Sequence, residues 1–423
     1  GQGGALAAKC RKVRMGLNLL TVTTLYPNAE MPFHGIFVEN RLREILKIQG
    51  MRARVVAPVP WFPLTAKGFG RYGRFARVPR EECRSGVAVF HPRFMLLPKV
   101  GMRGAAGSLF RALKAFARDR DLRSMGIDLV DGQYLYPDAV AAVRLSRWLG
   151  VPVVVTARGS DVTQIARFPS VRPAILGALR EADAVMSVSR SLKEGLVDLG
   201  VTESSITILR NGVDLELFRP LPRGSHEPGL GVAGKLAVTV GHLIPRKGQD
   251  IVLKAVAQLP EVSLLVVGEG PEERRLRALA GELGLGSRVR FMGARAPSEL
   301  AAIYSAADVS VLASSREGWA NVLLESMACG RPVVASAVGG TPEVMEGAPG
   351  GRLVAERTPE AFAQALRETL SAPPSADDIR GYAEGFGWGE VARQQANLYA
   401  DVVAKARRMV ADNAPAAAPM ASI

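Results

Sequence analysis

A chain of 423 residues, 48% of them apolar, has material for two hydrophobic cores and does not have the composition of a disordered protein. No apolar run approaches the roughly 18 residues that span a bilayer. The start, GQGGALAAKCRKVRMG, lacks the continuous apolar segment of a secretory signal, and Cys10, Cys83 and Cys329 have no CxxC spacing, which argues against a disulfide framework or a zinc site and for a reducing compartment. The net charge of +14 is confined to the first half: residues 1–220 hold 33 Lys and Arg against 18 Asp and Glu, the remaining 203 hold 21 against 22. Such asymmetry points to a polyanionic partner, nucleic acid or an anionic membrane surface, or else to a basic face that is merely solvated.

Short Val- and Ile-rich runs recur along the chain. In the first half they are LNLLTV (17–22), ARVVAP (53–58), VAVFHP (87–92), IDLVDG (127–132), VPVVVTA (151–157), DAVMSVS (183–189) and SITILRN (205–211). In the second they are KLAVTVGH (235–242), VSLLVVGEG (262–270), RVRFMG (288–293), DVSVLAS (308–314) and RPVVAS (331–336). Runs apolar throughout suit strands buried on both faces, and strands alternating with helical segments predict parallel sheets with right-handed crossovers. The series breaks once, at RPLPRGSHEPGLGVAGK (219–235), rich in Pro and Gly and without periodicity, which reads as a linker. The expected organisation is α/β: a Rossmann-like domain over 1–218 with 1–14 flexible, a second over 236–385, a helix over 386–410, and a disordered tail at 411–423. Two doubly wound domains should bind ligands in a cleft at the C-terminal ends of their strands.

The stretch SSREGWANVLLESMACG (314–330) follows the strand DVSVLAS. Glu317-Gly318 reads as a turn, Ala320 or Asn321 as the start of a helix running to Ala328, and Gly330 and Pro332 as its stop. Backbone N–H groups of Trp319 to Val322 would form an anion site, with Glu317 at its mouth and Glu325 a turn further in. Two carboxylates flanking a phosphate-binding helix start suit a nucleotide-sugar, amides taking phosphate and carboxylates taking hydroxyls. In VGHLIPRKGQDIVLKA (240–255), the loop after a strand presents His242, Arg246 and Lys247 before a helix begins near Gln249. Cations at a strand's C-terminal end can neutralise a diphosphate, although RK at a turn is also a common solvated pair.

Taken in order, EGWANVLLE, RKG after VGHL, VVGEGPEERRL, SEL…IYSAADVSVLASS, GRPVVAS…GGTPEV and ILRNGVDLELFRP resemble the family-4 retaining glycosyltransferases of the GT-B fold over roughly residues 15–400. The opening FHGIFVENRLREILKIQGMRARVVAP and the TARGSDV segment resemble the teichuronic-acid and exopolysaccharide-type members. The resemblance implies two Rossmann-like domains facing across a cleft, and a last helix crossing back to the first. It makes Glu317 the group beside the donor sugar's anomeric carbon and gives Gly318, Trp319, Ala320, Asn321 and Val322 as amide donors. Glu325 would bind the ribose, Lys247 the diphosphate, and Gly35 would let backbone approach the donor phosphates. Base contacts are implied near Arg295 and from Gly268 to Gly270. His242 stands where the family usually has Arg, so Arg246 would supply that phosphate contact. Arg158 stands where it commonly has His; always charged, it would act as an electrostatic group near donor or acceptor and not as a base.

The implied chemistry is transfer of a sugar, with retention and with neither metal nor cofactor, from a nucleotide-sugar. A UDP-sugar is the commonest donor among relatives. The acceptor would be a cell-surface glycan or a lipid-linked molecule at the inner face of the plasma membrane. The basic first half would serve the acceptor side. In KGFGRYGRFARVPREECR (67–84), basic residues at 67, 71, 74, 77, 80 and 84 interleave with Phe69, Tyr72 and Phe75, after Trp61 and Phe62; Pro79 and three glycines argue against a helix there. MRGAAGSLFRALKAFARDR (102–120) has Leu109, Leu113 and Phe116 on one face. Both suit an anionic membrane's headgroup layer, or a helix packed on its own domain; no nucleic-acid motif is present. Asp119-Arg120-Asp121 matches the D-x-D of metal-dependent transferases but lies in a charged helical stretch and not at a strand end. GEGPEE (268–273) lacks the third glycine of a dinucleotide fingerprint. Cys329 reads as core packing, and His34, His91 and His226 show no ligand spacing. The competing functions are a nucleotide-sugar epimerase on the same fold and a non-catalytic membrane- or glycan-binding protein.

Overall fold

A computed structural model describes residues 16–66, 70–96, 102–222 and 234–412. The chain divides into two compact units: residues 1–187, 195–209 and 389–423 form one, and 188–194 with 210–388 the other. Residues 188–194 and 210–218, expected in the first domain, thus belong to the second unit. The leader, most of the linker (223–233) and the tail from 413 lie outside the described residues.

The first unit is built on an eight-stranded sheet of β1 (Asn18–Val22), β2 (Arg52–Val56), β3 (Glu81–Arg84), β4 (Val87–Phe90), β5 (Leu129–Gln133), β6 (Val153–Ala157), β7 (Ala184–Ser187) and β8 (Ile206–Ile208). Their spatial order is β8-β7-β6-β5-β1-β2-β4-β3. All neighbours are parallel except β3 with β4, an antiparallel hairpin at the edge in which Cys83 faces Ala88. That hairpin is a departure from the expected all-parallel sheet. Leu19, Leu20, Leu129 and Val153 to Val155 are fully buried, as strands covered on both faces require. The helix Trp388–Asp412 returns Ala392, Ala396, Tyr399 and Val403 to this unit's core, against Leu19, Ile45, Leu129 and Met186.

Each basic segment contains a helix, with Lys67 and Phe69 outside the described residues. Gly70–Arg77 is helical despite its glycines, because Phe75 packs with Val59 and Val78. Met102–Asp119 buries Leu109 and Leu113, while Phe116 packs on Phe90 with ring centroids 5.1 Å apart; Arg103, Arg111 and Arg118 stay exposed. This helix is therefore packed on its own domain with a basic outer face. Asp119 ends it, and Arg120 pairs with Glu81 at 2.8 Å, so the D-x-D has no strand end beneath it. No helix among the described residues is long and apolar enough to cross a membrane.

The second unit carries a parallel sheet of β9 (Lys235–Val240), β10 (Val262–Val267), β11 (Val289–Gly293), β12 (Val309–Leu312), β13 (Val333–Ser336) and β14 (Gly351–Val354), in the order β11-β10-β9-β12-β13-β14. Its core joins the paired Ala237 and Val309 to Val252, Val256, Phe362 and Leu366 of the covering helices. Cys329 is fully buried, as expected of packing. The strand order reverses between β9 and β12, which opens a crevice at their C-terminal ends.

Candidate active site

Two loops meet at that crevice. One, Gly241–Gly248, follows β9 and leads into the helix Gln249–Ala257; the other, Ala313–Ala320, follows β12 and leads into Asn321–Ala328. Gly248 sits at φ +68°, and a Cβ there would lie 2.1 Å from the Ala313 carbonyl oxygen, so only glycine lets the loops close. They are then fastened: Ser315 N donates to Arg246 O at 2.8 Å, and Arg246 Nη1 donates to Arg316 O at 2.9 Å.

Glu317 is the focus of these contacts. Its side chain is 7% exposed, and its Oε1 accepts from both Lys247 Nζ and Ser314 Oγ at 2.6 Å. Arg246 Nη1 lies 3.8 Å from its other oxygen. A buried carboxylate is tolerable only with such partners. Behind it, Gly340 N donates to Glu317 O at 3.1 Å, and Gly339 approaches so closely that a Cβ would lie 1.9 Å from that oxygen. Sequence reasoning named Glu317, Lys247 and Arg246; it did not anticipate Ser314 or the two glycines.

The helix Asn321–Ala328 has the expected bounds, with Gly330 at φ +72° past its end. The anion site is narrower than expected, because Asn321 N donates to Trp319 O at 3.2 Å. Asn321 Oδ1 instead accepts from Asn211 at 3.2 Å. The Trp319 side chain is buried and lies beside Phe386 (6.3 Å between centroids) with the Arg210 guanidinium over it, and its indole N–H has no partner among the described residues. One turn on, Glu325 Oε2 accepts from Tyr304 OH at 3.2 Å. Burial pushes the Glu325 carboxyl up to about 7, with the Tyr304 hydroxyl opposing. Nothing in the sequence singled out Tyr304, which approaches from a separate helix.

The remaining donor-side positions divide. Gly268 and Gly270 lie at the end of β10, where a Cβ would come within 2.0 Å of Gly241 O and 2.4 Å of Leu243 O respectively. Gly268 N donates to Gly293 O at 2.8 Å, so the ends of β9, β10 and β11 are drawn together. Arg295 follows β11 and pairs with Glu299 at 3.2 Å. His242 is exposed, and its carbonyl accepts from Ile244 N at 2.9 Å and from Gln249 Nε2 at 3.0 Å. Gly35 and Arg158 belong to the first unit. Gly35 precedes the helix Ile36–Leu46 at φ +70°, and a Cβ there would lie 2.3 Å from Leu25 O. Arg158 is buried at the end of β6, where its Nε donates to Gln133 Oε1 at 3.0 Å and its guanidinium lies 5.4 Å from the Phe37 ring centroid. Burial and then the neighbouring Arg41 lower its pKa to about 9, against the opposing pull of Asp131.

Two family models match: "Glycosyl transferases group 1" over residues 227–386 and "Glycosyltransferase Family 4" over 72–217. The D-inositol 3-phosphate glycosyltransferase of Thermobispora bispora is 30% identical over 364 residues, covering 78% of this chain and 84% of that one. The chain belongs to the family-4 glycosyltransferases. Another relative of this glycosyltransferase is the putative teichuronic acid biosynthesis glycosyltransferase TuaC of Bacillus subtilis, 28% identical over 375 residues (86% and 92% of the two chains). Among solved structures, sucrose-phosphate synthase from Thermosynechococcus elongatus superposes with a TM-score of 0.75 at 24% identity, covering 94% of this chain and 99% of that one. Anabaena HepE in complex with UDP superposes at 0.68 and 22%, covering 91% and 100%. These likenesses establish the GT-B fold for this glycosyltransferase. Within it, the second unit brings Lys247, Arg246, Glu317 and the start of the Asn321 helix to one crevice: two cations and a carboxylate beside backbone donors. Among its described residues no group of three or more His, Cys, Asp or Glu could hold a metal ion.

Proposed function

We propose that this glycosyltransferase moves a sugar from a UDP-sugar, with retention and without a metal, to a lipid-linked or surface-glycan acceptor at the inner face of the membrane. The Lys247–Glu317 contact at the switch point of the second sheet carries this reading. Supporting it, solved structures of the Anabaena neighbour hold UDP, UDP with glucose, and UDP-glucose. The exposed arginines of the helix Met102–Asp119 support an anionic surface as the place of work.

Breaking the bond between the anomeric carbon and the diphosphate leaves negative charge on the leaving oxygen. Lys247 has donors beyond the one given to Glu317, and with Arg246 it can neutralise that charge. Glu325 accepts from the ribose hydroxyls, which its place a turn inside the helix suits. The acceptor hydroxyl attacks the face from which the diphosphate departs, and its proton passes to the leaving phosphate oxygen. No protein nucleophile is needed. Glu317 is poorly suited to that part, since one of its oxygens already accepts from Lys247 and Ser314; it orients Lys247 and meets the sugar.

The test is turnover of a UDP-sugar panel with EDTA present, followed by NMR of the anomeric proton in the product. Transfer with the donor's configuration is the expected result. Inversion would overturn the stereochemical assignment. Release of an altered free sugar would make the protein an epimerase, and loss of turnover on EDTA addition would overturn metal independence.

A further inference from the structure

The first unit contains a cavity of 510 Å³ within that unit alone. It lies where the chain leaves the C-terminal ends of β1, β2, β4 and β5. Val59, Phe75, Phe94, Ala105, Tyr136 and Pro137 are among its walls. The volume is that of a small-molecule site.

Most polar side chains in the walls are engaged by the protein itself. Thr24 N and Oγ both donate to Asp138, and its carbonyl accepts from His34 Nε2. Asn28 Oδ1 accepts from the amides of Glu30 and Met31. The ring nitrogens of His91 lie 2.8 Å from Ala57 O and from Glu82 Oε1. Tyr136 OH donates to Met102 O. A sugar placed here would lose its water and find few partners, which is costly for each hydroxyl, whereas a hydrocarbon chain would lose nothing.

The rim continues the theme. Tyr72, Leu96 and Met102 line the cavity and are themselves exposed; Met95, beside Leu96, and Trp61, which follows the wall residue Pro60 and donates its amide to Phe94 O, are exposed as well. Exposed apolar groups gathered at one mouth mark a binding site. Arg74 adjoins the wall residue Phe75, Arg103 adjoins Met102, and Arg80 accepts through its carbonyl from His91 N; all three are exposed. Apolar inside and cationic outside is the complement of a lipid phosphate.

We propose that this cavity holds the apolar chain of a lipid-phosphate-linked acceptor, with the phosphate at the arginines of its rim. The proposal rests on the glycosyl-transfer reading and narrows its acceptor to the lipid-linked class, away from a free glycan.

Calorimetry with n-hexyl, n-octyl and n-decyl phosphate, each below its micelle concentration, tests it on the full chain. Affinity should rise about fourfold per methylene, on the order of fifteenfold per two-carbon step, until the cavity is full. Ala105→Phe, which fills the cavity from its wall, should weaken decyl phosphate by about tenfold or more; its melting temperature reports whether it folds. Arg103→Glu, on the surface, should keep the increment per methylene and abolish the preference for decyl phosphate over neutral decyl maltoside. Absence of chain-length dependence, wild-type affinity in a folded Ala105→Phe, or displacement of decyl phosphate by maltotriose would overturn the proposal. UDP-sugar turnover is read separately. Turnover without alkyl phosphate binding sinks the cavity assignment alone; fourfold increments without turnover sink the transfer reading and leave the lipid site standing.

Discussion

Replacing Lys247 by Met removes the closest charge partner of a carboxylate that is almost entirely buried. The Glu317 side chain is 7% exposed and Lys247 Nζ lies 2.6 Å from it, whereas Arg246 is 3.8 Å away and already donates to Arg316 O. Breaking a buried pair typically costs about 3–5 kcal/mol. Ser314 and Arg246 keep part of the compensation here, which brings the expected loss to about 2 kcal/mol. For a unit of this size that is a fall of roughly 4–8 °C in melting temperature. Glu317→Gln should cost less, about 1 kcal/mol, because Lys247 on its flexible stem can turn its charge to solvent. The double variant should be no worse than Glu317→Gln, a coupling of about 2 kcal/mol. Differential scanning calorimetry on the four proteins gives the cycle. Equal and additive losses for the two single variants would refute the claim that Glu317 depends on Lys247.

Gly248→Ala forces a left-handed residue to carry a Cβ 2.1 Å from Ala313 O. It should cost about 3 kcal/mol and weaken UDP binding by parting the loops, with melting and calorimetry as the readouts. Glu325 is raised to about 7 by burial, above its unfolded value, so its contribution is fully present below the unfolded pKa and lost as pH rises through 7. Because part of the residue is accessible, the loss is about 2 kcal/mol between pH 5 and pH 8, and Glu325→Gln should flatten that slope in melts across the range. Arg158→Lys keeps the charge but loses the fork that grips Gln133. It should cost about 1–2 kcal/mol, read as a lower melting temperature, with the UDP Kd unchanged, since Arg158 lies in the first unit and the Lys247 crevice in the second.

The sheets were largely legible, because each of the twelve Val- and Ile-rich runs contains a strand, trimmed by a few residues at its ends; central strands such as Asn18–Val22, Val153–Ala157 and Val262–Val267 are buried throughout, whereas Val87–Phe90 and Val289–Gly293 are partly exposed. What escaped was at the edges. Glu81–Arg84 is charged and partly exposed, pairs on one side only, and carries no apolar run to read. Gly351–Val354 is likewise a short edge strand. The Gly70–Arg77 helix was hidden by its glycines; tertiary packing of Phe75 overrides a poor local propensity. At the site, the ordered motifs gave Glu317, Lys247 and the helix start, since strand ends and helix starts fix where such groups point. Tyr304 and Ser314 were not legible, because a hydroxyl in a helix or loop becomes meaningful only when the fold brings a carboxylate to it. The cavity of the first unit was invisible for the same reason: its walls come from seven separate stretches of chain.

The central claim is that the Lys247–Glu317 crevice binds the donor nucleotide. Thermal shifts with UDP, GDP, ADP and CMP in EDTA, on the wild type and on Lys247→Ala, address it directly. Stabilisation by UDP alone, lost in Lys247→Ala, is the expected result. No shift with any nucleotide, or a UDP shift that survives the substitution, would contradict the account.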